Sequence, residues 1–305
     1  MSAPGRLRRN AAGYLLAGPF VAAFALFVAV PLVQSVWLST RQTFGAAASE
    51  PVGAANFARL AADPRFWRAV ANTTAFTAGS VALQIPTALA LALLLNRPGL
   101  RGRGLYRLAF FAPQVVGLTF GAVLASLAFD KRTGLVNQAL HALTEAFDAC
   151  LPGRQPPWNL DFPWLQEHAL AALVLASVWL YAGFHMLFFL AALQNVSPEL
   201  REAAVLDGAG AVLRFRHVTL PAIRPVAGFL VLLAVIGGLQ LFELPYIMLQ
   251  SAWAGDHGLT VVMYLYEQGF QIGDLGYASA VGWVLGLVLI AAALLQRALA
   301  RGAEA

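Results

Sequence analysis

Apolar residues run in long stretches along this chain, at about 12–38, 70–95, 105–129, 168–193, 222–249 and 275–298. Each is long enough to supply the roughly 20 helical residues that cross a hydrocarbon layer. Backbone N–H and C=O groups find no water in such a layer, so each run is expected to be largely helical. The pattern predicts an all-α integral membrane protein of about six spans, in one domain covering residues 1–305. Pro19, Pro31, Pro86, Pro113, Pro225 and Pro245 fall inside the runs. In a bundle they act as kinks, because neighbouring groups re-satisfy the freed carbonyls. Gly117 with Gly121, and Gly282 with Gly286, have the spacing that lets helices pack closely.

The polar segments between the runs differ in charge. Arg6, Arg8 and Arg9 precede the first run, and Arg97, Arg101, Arg103 and Arg107 lie between the second and third. Arg201, Arg214, Arg216 and Arg224 lie between the fourth and fifth, and Arg297 and Arg301 close the chain. The alternate segments, 130–167 and 250–274, are acid-rich: Asp130, Glu145, Asp148, Asp161 and Glu167 in one, Asp256, Glu267 and Asp274 in the other. Lys131, Arg132 and Arg154 offset the first of these in part. Excess basic charge marks the cytoplasmic side, which places both termini there. Segment 39–69 is the exception, with Arg41, Arg59, Arg65 and Arg68 against Glu50 and Asp63. Its stretch 56–67 suits a short interfacial helix.

Composition agrees with lipid as the solvent. Of 305 residues, 59% are hydrophobic and 11% are charged. A soluble domain has about 25% charged residues. The net charge of +5 belongs to the loops that orient the chain, so nucleic acid is not an expected partner. One cysteine, Cys150, excludes an internal disulfide and cysteine-based metal clusters. The first run is too long for the apolar part of a signal peptide and is read as a span that stays attached. The chain has no Gly-x-x-x-x-Gly-Lys-Ser/Thr phosphate loop, the motif that would cradle ATP.

Segment 194–221 is too polar to span and too patterned for a plain linker. Ser197 can cap a helix, Pro198 suits its first position, and Glu199 favours its positive end. Ala204 and Gly208 then share one face, and Gly208 or Gly210 can end the helix. A second short helix over 211–218 follows, and Leu220-Pro221 leads into the fifth span. Chemistry alone leaves two readings open, an amphipathic segment lying on headgroups and a docking site for a cytoplasmic partner.

The spacing Glu202-Ala203-Ala204, Gly208, Val218, Leu220-Pro221 resembles the Glu-Ala-Ala loop of binding-protein-dependent ABC transporter permeases, and fits without gaps. Further pieces are similar to the carbohydrate branch, in particular its maltose-permease-F-like subunit. They are Asn56-Phe57, Asp63 to Trp67, Asn72-Thr73, Val178-Trp179 with Gly183-Phe184, Phe189 to Ala191, Phe242-Glu243, Tyr264 to Phe270 and Gly276 to Ala280. The family often has a Gly-rich stretch ending in Pro after the fifth span, where this chain reads Ser251-Ala252-Trp253-Ala254-Gly255.

The resemblance implies a transport subunit of the bacterial inner membrane, not an enzyme, that forms the path of an ATP-driven sugar importer. It implies that Glu202, Ala203, Ala204, Asp207 and Gly208 sit in a groove of an ATPase subunit, with Leu220 and Pro221 completing the coupling loop. The implied partners are two ATP-binding subunits, a second permease and an extracytoplasmic solute-binding protein. No cofactor is expected in this chain, with ATP and magnesium held by the partners. For Asp207, plain solvation of an exposed acid stays open.

Glu243 is the one acid inside a run and is expected to face a cavity, a partner or the interface. With Gln240 and Tyr246 it is a candidate lining for a hydroxylated solute. Trp179, Tyr181 and Phe184 are candidates for stacking on sugar rings, or packing residues. Other classes fare less well. A permease for another solute, such as glycerol phosphate, stays open. An intramembrane enzyme needs clustered acids or histidines, whereas His141, His168, His185, His217 and His257 are scattered without metal-ligand spacing. A proton-coupled carrier needs intramembrane relays, for which Glu243 and His185 are the only material.

Overall fold

The computed structural model describes residues 15–44, 48–97, 99–150, 162–249 and 256–301. Arg6, Arg8, Arg9, Arg154, Asp161 and the stretch Ser251 to Gly255 lie outside the described residues. The first half of the chain forms α1 (Leu15–Ser39), β1 (Arg41–Phe44), β2 (Ala48–Pro51), α2 (Ala55–Ala62), α3 (Pro64–Leu95), α4 (Arg103–Val116), α5 (Leu118–Ala128) and α6 (Leu135–Cys150). The second half forms α7 (Ala169–Gln194), α8 (Pro198–Leu206), α9 (Ala211–Leu239), α10 (Glu243–Met248), α11 (Val261–Tyr266) and α12 (Leu275–Arg301). Five helices, α1, α3, α7, α9 and α12, are long and apolar enough to cross a membrane; the bent pair α4–α5 makes a sixth if counted as one span. The described residues fall into two compact units, Met1–Asp63 with Leu265–Gly286, and Pro64–Tyr264 with Leu287–Ala305.

In the smaller unit, the apolar window of α1 has no buried side chain, as suits a helix that faces lipid. A hairpin follows, with β1 antiparallel to β2 and Arg41 opposite Pro51. A polar knot ties the hairpin, α2 and the start of α12 together. The Asn56 amide donates to the carbonyls of Ser39 (2.9 Å) and Arg41 (2.8 Å). The Thr43 hydroxyl accepts from the Gly276 N–H at 2.8 Å. Asp274 accepts from the Tyr277 N–H at 3.2 Å and pairs with Arg59 at 2.8 Å. The Arg59 guanidinium also covers the Tyr277 ring, whose hydroxyl donates to Asp63. A Cβ on Gly276 would stand 1.8 Å from the Arg41 carbonyl oxygen, so only glycine fits.

In the larger unit, α7 is the central helix, packed by α3, α4, α5 and α9. In lipid, close packing and interhelical hydrogen bonds hold helices together, because the tails are as apolar as leucine. The α3–α7 seam shows both. Ala69, Ala88 and Ala92 of α3 and Ala172 and Ala176 of α7 are buried. Ser80 and Gln84 of α3 hydrogen-bond the Ser177 hydroxyl of α7, at 3.1 and 3.0 Å. On α4 and α7, a Cβ at Gly183 would lie 1.9 Å from the Phe110 carbonyl oxygen, so backbone rests on backbone there.

The N-terminal end of α3 clasps the chain that follows α10. Arg65 makes a forked pair with Asp256, Nε to Oδ2 at 3.0 Å and Nη2 to Oδ1 at 3.1 Å. The Asn72 amide donates to the carbonyls of Asp256 and Leu259, and the Thr73 hydroxyl accepts from the Val261 N–H. The family-like Asn72-Thr73 pair is therefore a structural clamp.

Three elements depart from the expected pattern. The run 105–129 is not one helix: α4 and α5 meet at Gly117 with a bend of 102°. Gly117 has φ +94°, a conformation that side chains with a Cβ rarely adopt. It is a hinge and not half of a packing pair, whereas a Cβ on Gly121 would stand 2.3 Å from Leu180. Likewise Gly282 touches Leu265, and nothing approaches Gly286.

The run 222–249 is also broken. Its helix begins at Ala211, so the short helix expected over 211–218 is the start of α9, and Leu220-Pro221 lies inside a continuous rod. The rod stops at Leu239, and α10 restarts at Glu243. Pro245 has no N–H to give the carbonyl four residues back, at Leu241. The Thr260 hydroxyl donates to that carbonyl instead, at 2.7 Å. The interfacial helix expected over 56–67 is split at Asp63, which is extended with ψ 111°. A residue before a proline prefers that conformation.

Two prolines come with a local widening of the helix. Pro31 and Pro221 each follow a five-residue π turn, Ala25–Ala29 and Phe215–Thr219. A proline ring collides with the carbonyl four residues back. Those carbonyls belong to Phe27 and His217, the central residues of the two turns. The wider turn takes the carbonyl out of the way of the ring.

Candidate functional site

The elbow between α8 and α9 is built by local rules. The Ser197 hydroxyl accepts from the Leu200 N–H at 3.4 Å, and Pro198 opens α8. Ser197 also donates to the Glu199 carboxylate. That bond, with the backbone N–H of Glu199, holds the carboxyl below the usual range. At the other end the Ala209 N–H bonds the Ala204 carbonyl (2.9 Å) and the Gly208 N–H bonds the Val205 carbonyl (3.0 Å). This pair of bonds is the Schellman closure, which needs a left-handed residue four positions after the first of the bonded carbonyls. Gly208 supplies it with φ +74°. The spacing from Ala204 to Gly208 is thus set by how a helix ends. Of the two glycines that could terminate α8, Gly208 does so, while Gly210 is extended and caps α9, accepting from the Arg214 N–H.

Arg201 anchors the elbow, donating to the Leu193 carbonyl at the end of α7 at 2.8 Å. Arg201, Glu202, Val205, Leu206 and Arg214 line a depression of about 380 Å³. Glu202, Ala203, Asp207 and Pro221 are exposed, Ala204 is half-buried, and Leu220 is 40% exposed. The apolar tips are more exposed still: Leu206 at 88% and Val212 at 76%. Sequence reasoning missed Arg201 and Leu206; an arginine one turn into a helix that follows a span is the signal for the first.

The second candidate lies where the two broken helices meet. α5 packs on α10, and the Thr119 hydroxyl, just past the Gly117 hinge, donates to the Glu243 carboxylate. Glu243 is the first residue of α10, just past the break that ends α9. Gln240 closes α9 and is exposed; Tyr246 stacks on Phe242 at 5.0 Å. Gln240, Glu243 and Tyr246 therefore do gather at one break. Thr119 was missed, and Gly117-Leu118-Thr119 was the available signal.

The α7 aromatics divide. At 3.6 residues per turn, Trp179 lies about 140° around the helix from Phe184, so the two cannot line one surface. Tyr181 and Phe184, three apart, can, and Tyr181 packs on the cluster that holds Leu244, next to Glu243.

Of the histidines, His168 and His257 border a cavity of about 600 Å³ with Arg68, Asn72, Glu167 and Asp256. Among the described residues no three His, Cys, Asp or Glu are placed to hold a metal ion.

Residues 84–304, which include both sites, match the family described as "Binding-protein-dependent transport system inner membrane component". The chain belongs to this family. It is thus a permease subunit, a transport component and not an enzyme, in the bacterial inner membrane with several membrane-crossing helices. The permease is 34% identical over 94% of its length to the arabinooligosaccharides transport system permease protein AraP of Bacillus subtilis (strain 168), covering 88% of that protein. It is 33% identical over 93% of its length to the lactose transport system permease protein LacF of Rhizobium radiobacter, covering 92% of it. Its fold matches a chain of a bacterial ABC transporter that imports the acidic polysaccharide alginate, with a TM-score of 0.81, 22% identity and 97% of each chain covered.

Proposed function

We propose that this permease forms the membrane path for a sugar or short oligosaccharide. In this reading it pairs with a second permease, receives solute from an extracytoplasmic binding protein, and is driven by two ATP-binding subunits that carry the ATP and magnesium. The α8–α9 elbow carries the ATPase side of the reading. Leu206 lines a largely apolar depression at the elbow, and Val212 is exposed at the start of α9. Exposed apolar surface serves contact with a protein or with the membrane, and the Glu-Ala-Ala spacing favours the protein. Glu202, Ala203, Ala204, Asp207, Gly208, Leu220 and Pro221 belong to this docking element, which passes closure of the ATPase to α9.

Both termini and the elbow lie on the cytoplasmic side in this reading. Segment 39–69 argued against this orientation, but its arginines are engaged. Arg59 pairs with Asp274, Arg65 and Arg68 lie against Asp256, and Arg41 covers the Trp37 ring. We take the segment as an exception to the charge rule, which the other loops outweigh.

The sugar assignment draws on relatives whose names specify arabinooligosaccharides and lactose. A relative named as an sn-glycerol-3-phosphate permease, 33% identical over 93% of the chain, supplies the second reading. Glu243, held by Thr119 and flanked by Gln240 and Tyr246, is the polar group we assign to the path; Glu243→Ala is expected to abolish or retune uptake.

The deciding experiment measures ATP hydrolysis by the permease assembled with its ATPase and binding protein, comparing wild type with Gly208→Asp. Loss of solute-stimulated hydrolysis supports the elbow as the coupling element. Unchanged hydrolysis in a properly inserted variant refutes it. Uptake of arabino-oligosaccharide, lactose and sn-glycerol 3-phosphate by the same complex separates the two solute readings.

A further inference from the structure

A row of aromatic rings runs along α7 from Tyr181, which packs against the cluster that holds Leu241 and Leu244, on either side of Glu243. Tyr181, Phe184 and Phe188 sit at positions i, i+3 and i+7 of α7, which share one helix face. Phe184 and Phe188 are 5.0 Å apart between ring centres, and Phe188 reaches Phe229 of α9 at 6.2 Å. From Tyr181 to Phe188 the row advances about 10 Å along the helix axis at about 1.5 Å per residue.

The position of this face is unusual. α7 is the most enclosed of the candidate spans: 56% of its apolar window is buried, against 28% for α3 and 17% for α9. Yet Phe188 is 38% exposed and Phe229 47% exposed. Leu175 and Trp179 are also exposed on α7, at 43% and 46%, but among the described residues only the Phe188 strip is built of neighbouring rings that reach a second helix. Its rings offer flat π-faces, where leucines would serve lipid contact equally well.

We infer that Phe184, Phe188 and Phe229 form an aromatic track that carries sugar rings from the Glu243 site along the α7–α9 seam. The inference rests on the sugar reading above and extends it from Phe184, already a stacking candidate in the sequence, to Phe188 and Phe229, which no motif marked. The apolar C–H face of a pyranose or furanose ring stacks on a phenyl ring, while its hydroxyls remain free to hydrogen-bond elsewhere. Overlapping rings let a sugar pass from one to the next without leaving a stacked position. Glu243, with Thr119, holds the hydroxyls at the start of the track.

The test uses the assembled complex in proteoliposomes, with uptake of labelled arabino-oligosaccharide and lactose measured beside ATP hydrolysis. Phe188→Leu and Phe229→Leu keep apolar bulk and remove the ring. Phe188→Tyr and Phe229→Tyr keep the ring. The track predicts that each Leu variant lowers uptake about three- to ten-fold, the range expected for one lost stacking contact. The Tyr variants remain within about two-fold of wild type, and hydrolysis stimulated by loaded binding protein persists in all four. Leu variants that transport as well as wild type overturn the track while leaving the sugar reading intact. A wild-type complex that takes up neither sugar overturns the sugar reading, and the track with it.

Discussion

Replacing Gly208 by alanine isolates one physical quantity, the cost of a left-handed residue at the elbow. Gly208 has φ +74°, and a Cβ built there meets nothing within 4 Å. Steric crowding inside the chain therefore contributes nothing, and only the backbone conformation is penalised. An L-residue in this region costs about 1–2 kcal/mol. At about 1.4 kcal/mol per factor of ten, the correctly closed elbow becomes roughly 5- to 30-fold less populated relative to its alternatives. Asparagine, which tolerates the left-handed region better, is expected to lose less. If the elbow docks the ATPase, its apparent affinity for that subunit falls by the same factor. The assay titrates the ATPase against the reconstituted permease and reads solute-stimulated hydrolysis. The expected order of midpoints is Gly208, then Gly208→Asn, then Gly208→Ala, with the maximal rate unchanged at saturating ATPase. An alanine variant that titrates like wild type is incompatible with an elbow limited by its backbone angle. So is an asparagine variant weaker than alanine, because size and not φ would then be limiting.

Other consequences are equally direct. Gly183→Ala drives a Cβ to 1.9 Å from a backbone oxygen, whereas Gly121→Ala meets the movable end of Leu180 at 2.3 Å. Thermal unfolding in detergent is expected to show a loss of at least about 2 kcal/mol for the first and a smaller loss for the second. Thr260→Val strips the Leu241 carbonyl of its donor and should cost about 1–3 kcal/mol, with Thr260→Ser close to wild type. Asp130 accepts from the N–H groups of Arg132 and Thr133 and from the Thr133 hydroxyl. The Thr133 bonds, with that from Arg132, lower its pKa from the ordinary 3.8. A depressed folded pKa adds stability that is complete above about 3.8 and lost as pH falls through the lower folded value. Limited proteolysis across that window should show the 130–134 turn opening only under strong acid, and Asp130→Ala should open it at neutral pH.

Much of this molecule could be read from its residues, because lipid makes simple demands. Every backbone group must be satisfied, so long apolar runs became helices. The fourth run matched α7 to within a residue at each end. Ser197, Pro198 and Gly208 were legible because caps and closures are local chemistry. The breaks were not. Gly117 looks like any packing glycine, and only its φ of +94° makes it a hinge. Pro245 looks like a tolerated kink, and what turns it into a break is Thr260, a partner 19 positions from Leu241 in the sequence. The π turn at Phe215–Thr219 has no hydropathy signature, so one rod was read as a short helix and a separate span. The Glu243–Thr119 contact lies across 124 positions, beyond any local pattern.

That uninterrupted rod has a mechanical meaning. α9 runs 29 residues without a joint, from the Gly210 cap to the break before Glu243. At about 1.5 Å per residue it is about 43 Å long. A tilt of about 5° about its inner end moves the outer end by about 4 Å, more than the length of a hydrogen bond. The elbow and the carboxylate site are therefore opposite ends of one lever. In the function proposed above, a small rotation imposed at the elbow need not be relayed contact by contact; the rod carries it to the Leu239 end, beside the break that precedes Glu243.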